Sequence, residues 1–357
     1  EVLLHGYEQW GVDLLQRVRG MFTFVIWDKN RRELFGARDH FGIKPFYYAK
    51  MNGTFMYASE IKSLLQHPDF VKELNAEALK PYMTFQYPAI GETFFKGVYK
   101  LPEGHYFVYR DGEMSIHRYY DENFRESDQK LGELVNTIDD TVCGSVKAHQ
   151  IADVEVGSFL SSGVDSSYVA AVARPEHTYS IGFGKGTYNE SQQAGELAEL
   201  LKLNNTAEAL TDEEAFAAFP RIQWHLDEPD SNPSCVPLYF LSALAAKDVK
   251  VVLSGEGADE LFAGYIDYGV HTKFRPIKVV TRWLPHLPAG ARKAIARFCK
   301  ARPSRAHGIC TPILRRPRKA SSARRVSSRR RSPNGCSSPN TVRLQACKAS
   351  WTRPMPA

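Results

Sequence analysis

The sequence predicts two unlike folds in succession, a mainly β part over residues 1–120 and an α/β part on a parallel, doubly wound sheet from residue 121. Three observations predict this. Short apolar runs joined by Asn52-Gly53 and Asp111-Gly112 fill the first part, and such pairs supply the positive φ angles of tight hairpin turns. Strand-like and helix-like apolar segments alternate after residue 120, as they do in βαβ units. Two of the later strands run into small-residue loops that open helices, which is how parallel sheets present ligand loops at one edge.

The elements follow in order. Val2, Leu3, Trp10, Leu14, Leu15 and Val18 keep near-helical spacing over residues 2–18. Met21–Trp27 is a β-type run, Asp28-Lys29-Asn30 a polar turn, and Glu33–Ala37 the returning strand. Tyr47-Tyr48 and Thr54–Ala58 flank Asn52-Gly53 as one hairpin, and Val98–Arg110 and Glu113–Tyr119 flank Asp111-Gly112 as another. Leu131, Leu134, Val135, Ile138, Val142 and Val146 share one helical face. A strand at Val154–Leu160, a Ser/Gly loop and a helix from about Ser166 come next. Then follow a strand at Tyr179–Phe183, a helix at Ser191–Leu203 capped near Asn189, and a helix at Asp212–Leu226. The buried run Val249–Leu253 leads into a second Gly-rich loop and helix. Trp10, Trp27 and Trp224 read as core residues.

Charge divides the chain differently. Residues 301–357 carry fourteen Lys and Arg and no Asp or Glu, leaving 32 basic against 40 acidic residues over 1–300. The body is therefore acidic and the tail basic. The tail is rich in Arg, Ser and Pro and shows no period. It fits a disordered extension, a nucleic-acid-binding arm, or the product of a frame shift near residue 303. The last is favoured, and the lack of interleaved aromatics counts against nucleic acid. Six cysteines, at 143, 235, 299, 310, 336 and 347, form no C-x-x-C pair, which argues against zinc or a disulfide framework and for a reducing, cytoplasmic setting. No apolar run reaches the ~18 residues of a membrane span, and Glu1-Val2-Leu3-Leu4 has no secretory pattern.

The chemistry concentrates in two loops. In Phe159-Leu160-Ser161-Ser162-Gly163-Val164-Asp165-Ser166-Ser167 a strand ends, a small-residue loop turns, and a helix begins. Unpaired N–H groups and the dipole at a helix start favour an anion. There is no G-K-[ST], so this is not a Walker loop. Asp165 would repel bare phosphate but makes sense as a Mg²⁺ ligand bridging to phosphates. Read alone, the segment also fits an ordinary capped helix. The second loop is Val252-Leu253-Ser254-Gly255-Glu256-Gly257-Ala258-Asp259-Glu260. Asp259 can be a second metal carboxylate, and Glu256 a general base or a stabiliser of an incoming amine. Acids near a helix N-terminus also fit the dipole alone.

The pattern S-x-G-x-D-S-S followed about ninety residues later by S-G-E-G-x-D-E resembles the asparagine synthetase (glutamine-hydrolysing) family. The segments Gly20–Asp28 and Arg38-Asp39-His40-Phe41-Gly42-Ile43-Lys44-Pro45 resemble the second half of that family's glutaminase domain. The segment His225-Leu226-Asp227-Glu228-Pro229 with Asn232-Pro233-Ser234 resembles the stretch between its ATP loops. The resemblance implies a partial α+β N-terminal nucleophile hydrolase-like domain over 1–120. It implies a truncated α/β ATP-pyrophosphatase domain, adenine nucleotide alpha hydrolase-like, over 121–300. It also implies that ATP and Mg²⁺ are used to convert aspartate to an aspartyl-adenylate, which ammonia from glutamine then opens. Carried onto matching positions, Ser161, Gly163, Asp165, Ser166 and Ser167 hold pyrophosphate, and Leu160, Ile181, Ser254 and Gly255 contact adenosine. Asp165 and Asp259 hold Mg²⁺, and Glu256 is catalytic. The implied partners are aspartate, glutamine or ammonia, ATP and a second copy in a homodimer; neither membrane nor nucleic acid is expected.

Departures from the family pattern set further expectations. Ser162 stands where the family usually has glycine. The family's nucleophile is an N-terminal cysteine, whereas this sequence starts at Glu1. Cys143 reads as a small apolar filler rather than a substitute. Downstream, the family has a lysine and acidic and arginine residues that complete its substrate site, a set that the acid-free tail cannot supply. The expectation is an incomplete form that makes asparagine from glutamine poorly. Arg38-Asp39 reads as a structural ion pair. Asp227, Glu228 and Asp230 read either as pocket wall or as substrate or metal contacts. Two alternatives remain: a related ligase that adenylylates another carboxylate, and an inactive interaction or nucleic-acid-binding protein acting through its tail.

Overall fold

The computed structural model describes residues 1–123, 125–183, 190–265, 268 and 290. The expected cap at Asn189, the rest of the stretch to 300 and the basic tail lie outside the described residues.

Helix α1 (Val2–Trp10) continues into a 3-10 turn at Gly11–Gln16, so the apolar spacing over 2–18 becomes two short pieces. Strands β1 (Thr23–Asp28) and β2 (Glu33–Arg38) pair antiparallel, as do β3 (Tyr47–Met51) and β4 (Thr54–Ala58). The latter hairpin turns on Asn52 and Gly53 at φ 51° and 82°, a conformation for which Asn-Gly is suited. Helix α2 (Ile61–Leu64) and helix α3 (Leu79–Phe85) follow.

The run Val98–Arg110, expected as one strand, is two: β5 (Val98–Lys100) pairs with β3, and β6 (His105–Arg110) pairs with β2. Between them Pro102 offers no N–H to a ladder, and Gly104 takes φ 65°. Strand β7 (Glu113–Arg118) completes an antiparallel sheet of order β1-β2-β6-β7 beside a second sheet, β4-β3-β5.

Side chains alternate faces along each strand. Val25, Leu34, Phe107 and Tyr109 meet Phe46, Tyr48 and Phe55 between the two sheets, where Phe55 stacks on Tyr109 with ring centroids 4.3 Å apart. Ile26, Phe35, Ala37, Tyr106 and Val108 face the other way, onto Tyr7 and Leu15. On the far face of the second sheet, Tyr47, Ala49, Met51, Met56 and Val98 pack with Ile61 and Leu64. The order is helix, sheet, sheet, helix.

Two expectations from the sequence are not met. Trp10, Trp27 and Trp224 are 39%, 52% and 53% exposed and are not core; Trp10 carries Arg17 over its ring at 4.5 Å. Arg38 and Asp39 are buried but form no ion pair with each other among the described residues. Instead Arg38 donates to the carbonyls of Lys44, Leu101 and Gly42, and Asp39 accepts from the amides of Phe41, Ile43 and Lys44. Each charge is satisfied by backbone groups through hydrogen bonds that its own charge strengthens.

Helix α4 (Leu131–His149) leads into the α/β part. Strand β8 (Val156–Phe159), helix α5 (Val164–Ala173), strand β9 (His177–Phe183), helix α6 (Glu190–Leu201) and strand β10 (Asn204–Leu210) follow. Helix α7 (Asp212–Leu226) starts with a capping box in which Thr211 and Glu214 bond reciprocally. Helix α8 (Cys235–Ala245), strand β11 (Val251–Leu253) and helix α9 (Ala258–Phe262) complete the described elements.

The sheet is entirely parallel, in the order β10-β9-β8-β11. Leu160, Ala170, Ala194 and Ala198 form one core cluster with helices α5 and α6. Tyr179, Leu244, Ala245 and Val249 form another beneath α8. Val146, Ala173 and Leu253 form a third where α4 meets α5. The buried hydroxyls of Ser158, Thr178 and Ser180 donate to Leu253, Asn204 and Leu160 carbonyls, so none is left unsatisfied. Cys143 is half-buried and is not a plain filler: its sulfur lies 3.5 Å from the Tyr168 hydroxyl, which also bonds Asp139. Among the described residues no helix is long and apolar enough to cross a membrane.

Candidate active site

Strands β8 and β11 are neighbours in register, Val251 opposite Val156 and Leu253 opposite Ser158. Their carboxyl ends therefore finish together, and each delivers its loop to the same edge of the sheet.

The first loop is tied down from within. The Ser161 amide donates to Ser166 Oγ at 3.1 Å, the two hydroxyls lie 2.7 Å apart, and the Gly163 amide donates to Ser161 Oγ at 3.0 Å. Ser167 Oγ donates to the Gly163 carbonyl at 2.6 Å. No side chain caps α5, whose N-cap is Gly163, so the start of that helix keeps its outward N–H groups for another partner. In the second loop the Glu256 amide donates to Ser254 Oγ at 3.2 Å, and Gly257 turns the chain into α9 at φ 88°.

The two loops touch through bare backbone. A Cβ on Gly255 would lie 2.7 Å from the Ser166 nitrogen and 2.9 Å from the Asp165 carbonyl carbon. Only glycine permits that approach.

Together the loops line a cleft of about 550 Å³. Leu160, Ser161, Gly163, Asp165, Ser166, Ile181, Ser254, Gly255, Glu256 and Asp259 all reach it. Ser167, singled out with them, does not line it; its hydroxyl is turned to Gly163. Asp165 is exposed and Asp259 half-buried. Neither carboxylate is engaged by a hydrogen bond or ion pair among the described residues. No cluster of three or more His, Cys, Asp or Glu side chains surrounds a metal position among them.

Helix α8 supplies a wall that the sequence reading passed over: Ser234, Pro237, Leu238 and Leu241 face the cleft, with Phe183 from the end of β9. Its signal was present, because Asn232-Pro233-Ser234 opens an apolar run of helical length. Glu260 and Tyr265 close the far side; the Tyr265 hydroxyl donates to Glu260 at 2.7 Å, holding that carboxyl below its usual range and pushing the phenol up to about 12.

Asp227 and Glu228 lie elsewhere. Asp227 accepts from the amides of Ile61 and Lys62, and Glu228 from the amide of Phe94. Neither lines the cleft; they join the α/β part to the β part.

The asparagine synthase family profile matches residues 137–343, more than half of the chain. The chain belongs to the asparagine synthase family. The glutamine amidotransferase domain profile matches residues 1–120, so the asparagine synthase match follows an amidotransferase match along the chain. Among curated proteins, the chain is 38% identical over 324 residues to asparagine synthetase (glutamine-hydrolyzing) 1 of Bacillus subtilis (strain 168), covering 88% of this chain and 50% of that protein. It is 39% identical over 324 residues to a putative asparagine synthetase (glutamine-hydrolyzing) of Mycobacterium tuberculosis (strain ATCC 25618 / H37Rv), covering 86% and 48%. A putative asparagine synthetase (glutamine-hydrolyzing) 2 of Methanocaldococcus jannaschii is 31% identical over 280 residues, covering 75% and 54%. The chain thus spans about half the length of the curated relatives it matches. Both loops fall within the asparagine synthase match.

Proposed function

We propose that the cleft binds ATP with Mg²⁺ and activates a carboxylate, that of aspartate, by adenylylation, in an asparagine synthetase that takes its nitrogen from glutamine. The observation that carries this reading is the contact of Gly255 with the Ser166 amide, which makes one site of two loops. The β part is read as part of an N-terminal nucleophile hydrolase-like glutaminase domain over 1–120. Residues 121–300 are read as the ATP-pyrophosphatase domain.

In this reading Ser161, Gly163, Ser166 and the start of α5 take the pyrophosphate, because aimed N–H and hydroxyl donors stabilise charge developing on the leaving group. Ser167 is read as supporting the loop. Leu160, Ile181, Ser254 and Gly255 contact the adenosine. Asp165 and Asp259 fit Mg²⁺: both reach the cleft, and two carboxylates plus phosphate oxygens are what that ion takes from a nucleotide site. When bound, the ion neutralises phosphate charge. The aspartate carboxylate oxygen bonds to the α-phosphorus as its bond to the bridging oxygen breaks, and pyrophosphate leaves. Ammonia then attacks the acyl carbon, AMP departs, and the nitrogen loses a proton. Glu256 is suited to stabilise the cationic amine in that step. Soluble substrates, a cytoplasmic site of action and a homodimer complete the reading.

Pyrophosphate release tests it. The chain, given ATP, Mg²⁺ and a panel of carboxylates with ammonium, is expected to release pyrophosphate with aspartate in preference to glutamate, β-alanine or carboxylated peptides. Equal release with every carboxylate would leave a ligase but not an asparagine synthetase.

A further inference from the structure

The segment between α7 and α8 carries charges that the proposed reaction does not use. Asp227 ends α7 at φ 63°, a backbone region that non-glycine residues rarely enter. Its carboxylate accepts from Ile61 N at 2.7 Å and Lys62 N at 3.2 Å, and its Oδ1 lies 2.9 Å from Lys62 Nζ. Those amides open α2, whose own N-cap, Glu60, makes no side-chain cap bond; the cap comes instead from the other part of the chain. Glu228 accepts from Phe94 N at 3.0 Å and lies 3.7 Å from Lys100 Nζ. The side chains of Asp227 and Glu228 are 7% and 10% exposed. Burying two carboxylates is a poor way to glue surfaces, since apolar residues of similar size do that as well or better. Directional bonds to backbone amides do something apolar contact cannot: they fix one relative position.

That position continues to the cleft. Asp230 N donates to Gln223 Oε1 at 3.4 Å, Asn232 N to Asp230 Oδ1 at 2.9 Å, and Ser234 N to Asn232 Oδ1 at 3.0 Å. Ser234 opens the wall that runs on through Pro237, Leu238 and Leu241. A chain of short polar turns thus links the two carboxylates to one side of the cleft.

We infer that Asp227 and Glu228 are positioning residues: they set the Ser234–Leu241 wall against the β part, so that occupancy of the cleft is felt at Ile61, Lys62 and Phe94. The second half of this statement rests on the cleft being the nucleotide site; the first half does not.

Amide hydrogen exchange on the full chain tests both halves. Without nucleotide, Asp227→Asn speeds exchange about fivefold or more at Ile61 and Lys62 and also across the Ser234–Leu241 wall. Acceleration confined to Ile61 and Lys62 overturns the inference, since the contact is then a local staple. If Asp227→Asn does not fold by circular dichroism, Glu228→Gln gives the same comparison between Phe94 and the wall. With MgATP, the unaltered chain slows exchange at Ile61, Lys62 and Phe94, and Glu228→Gln loses the response at Phe94. Nucleotide that binds by equilibrium dialysis without any change at those three amides also overturns it. No nucleotide binding at all refutes the proposed function, and the nucleotide-free comparison then decides the positioning role by itself.

Discussion

Gly255 rests on the amide of Ser166, so close that a single methyl group on it would fall 2.7 Å from that nitrogen. The neighbouring atoms are backbone and the Asp165 Cβ, which is fixed to it, so none can swing aside. Gly255→Ala therefore wedges the two loops apart. The expected loss is about 1–3 kcal/mol of stability, the usual range for overpacking, read as a shift in the urea midpoint. MgATP affinity is expected to fall by about tenfold or more, because small misplacements in such sites are severe. Unchanged affinity would mean that the loops do not share a ligand.

Two adjacent serines should behave unequally. Ser166 Oγ accepts from the Ser161 amide and lines the cleft, whereas Ser167 Oγ only donates to Gly163. Ser166→Ala leaves the Ser161 amide without its acceptor, costing about 1 kcal/mol and weakening nucleotide binding. Ser167→Ala is expected to lower stability by a similar amount with little change in nucleotide affinity. Isothermal titration of both variants, run beside thermal melts, separates the two cases.

Magnesium dependence follows from Asp165 and Asp259. Replacing either with Asn removes one of the two cleft carboxylates read as ligands of the ion. The Mg²⁺ concentration for half-maximal ATP binding is expected to rise by about tenfold or more, since ligand charge sets affinity for hard cations. A Mg²⁺ titration of ATP binding that overlays the unaltered chain would exclude the ion from this place.

Tyr47 sets an alkaline limit. Burial first, then the nearby charges of Glu228 and Asp227, push its phenol from 10 up to about 12. The folded chain thus holds the proton more tightly than the unfolded one. Its contribution to stability is complete below pH 10 and is lost as pH rises from 10 through about 12. Tyr47→Phe should flatten part of that decline in urea midpoints measured across this window, and should remove one late step from the ultraviolet titration of tyrosinate.

Much of this was legible because local chemistry and tertiary need agreed. Asn52-Gly53 and Asp111-Gly112 make the turns their backbones favour, and Asp212–Leu226 is a helix because Thr211 and Glu214 cap it. Both cleft loops could be located because strand, small residues and helix follow in fixed order. What escaped had no local signature. Strand β10 reads Asn-Asn-Thr-Ala-Glu-Ala-Leu, and only pairing with β9 makes it a strand. Helix α8 is apolar over most of its length, so nothing in its pattern marks which side faces the cleft. Asp227 and Glu228 stand in the sequence as acids near a site; that they reach Ile61 and Phe94, more than a hundred residues back, is information only the folded chain holds.

The polar character of β10 has a consequence of its own. It stands at one end of the parallel sheet, with one side of its backbone unpaired by any other described strand. An apolar border there would be an open template on which a second molecule could add a strand. Asn204, Glu208 and their exposed neighbours, with Glu208 tethered to Lys247 at 2.8 Å, make strand addition at this edge unfavourable, and so the residues that made this strand hard to read also guard its open border.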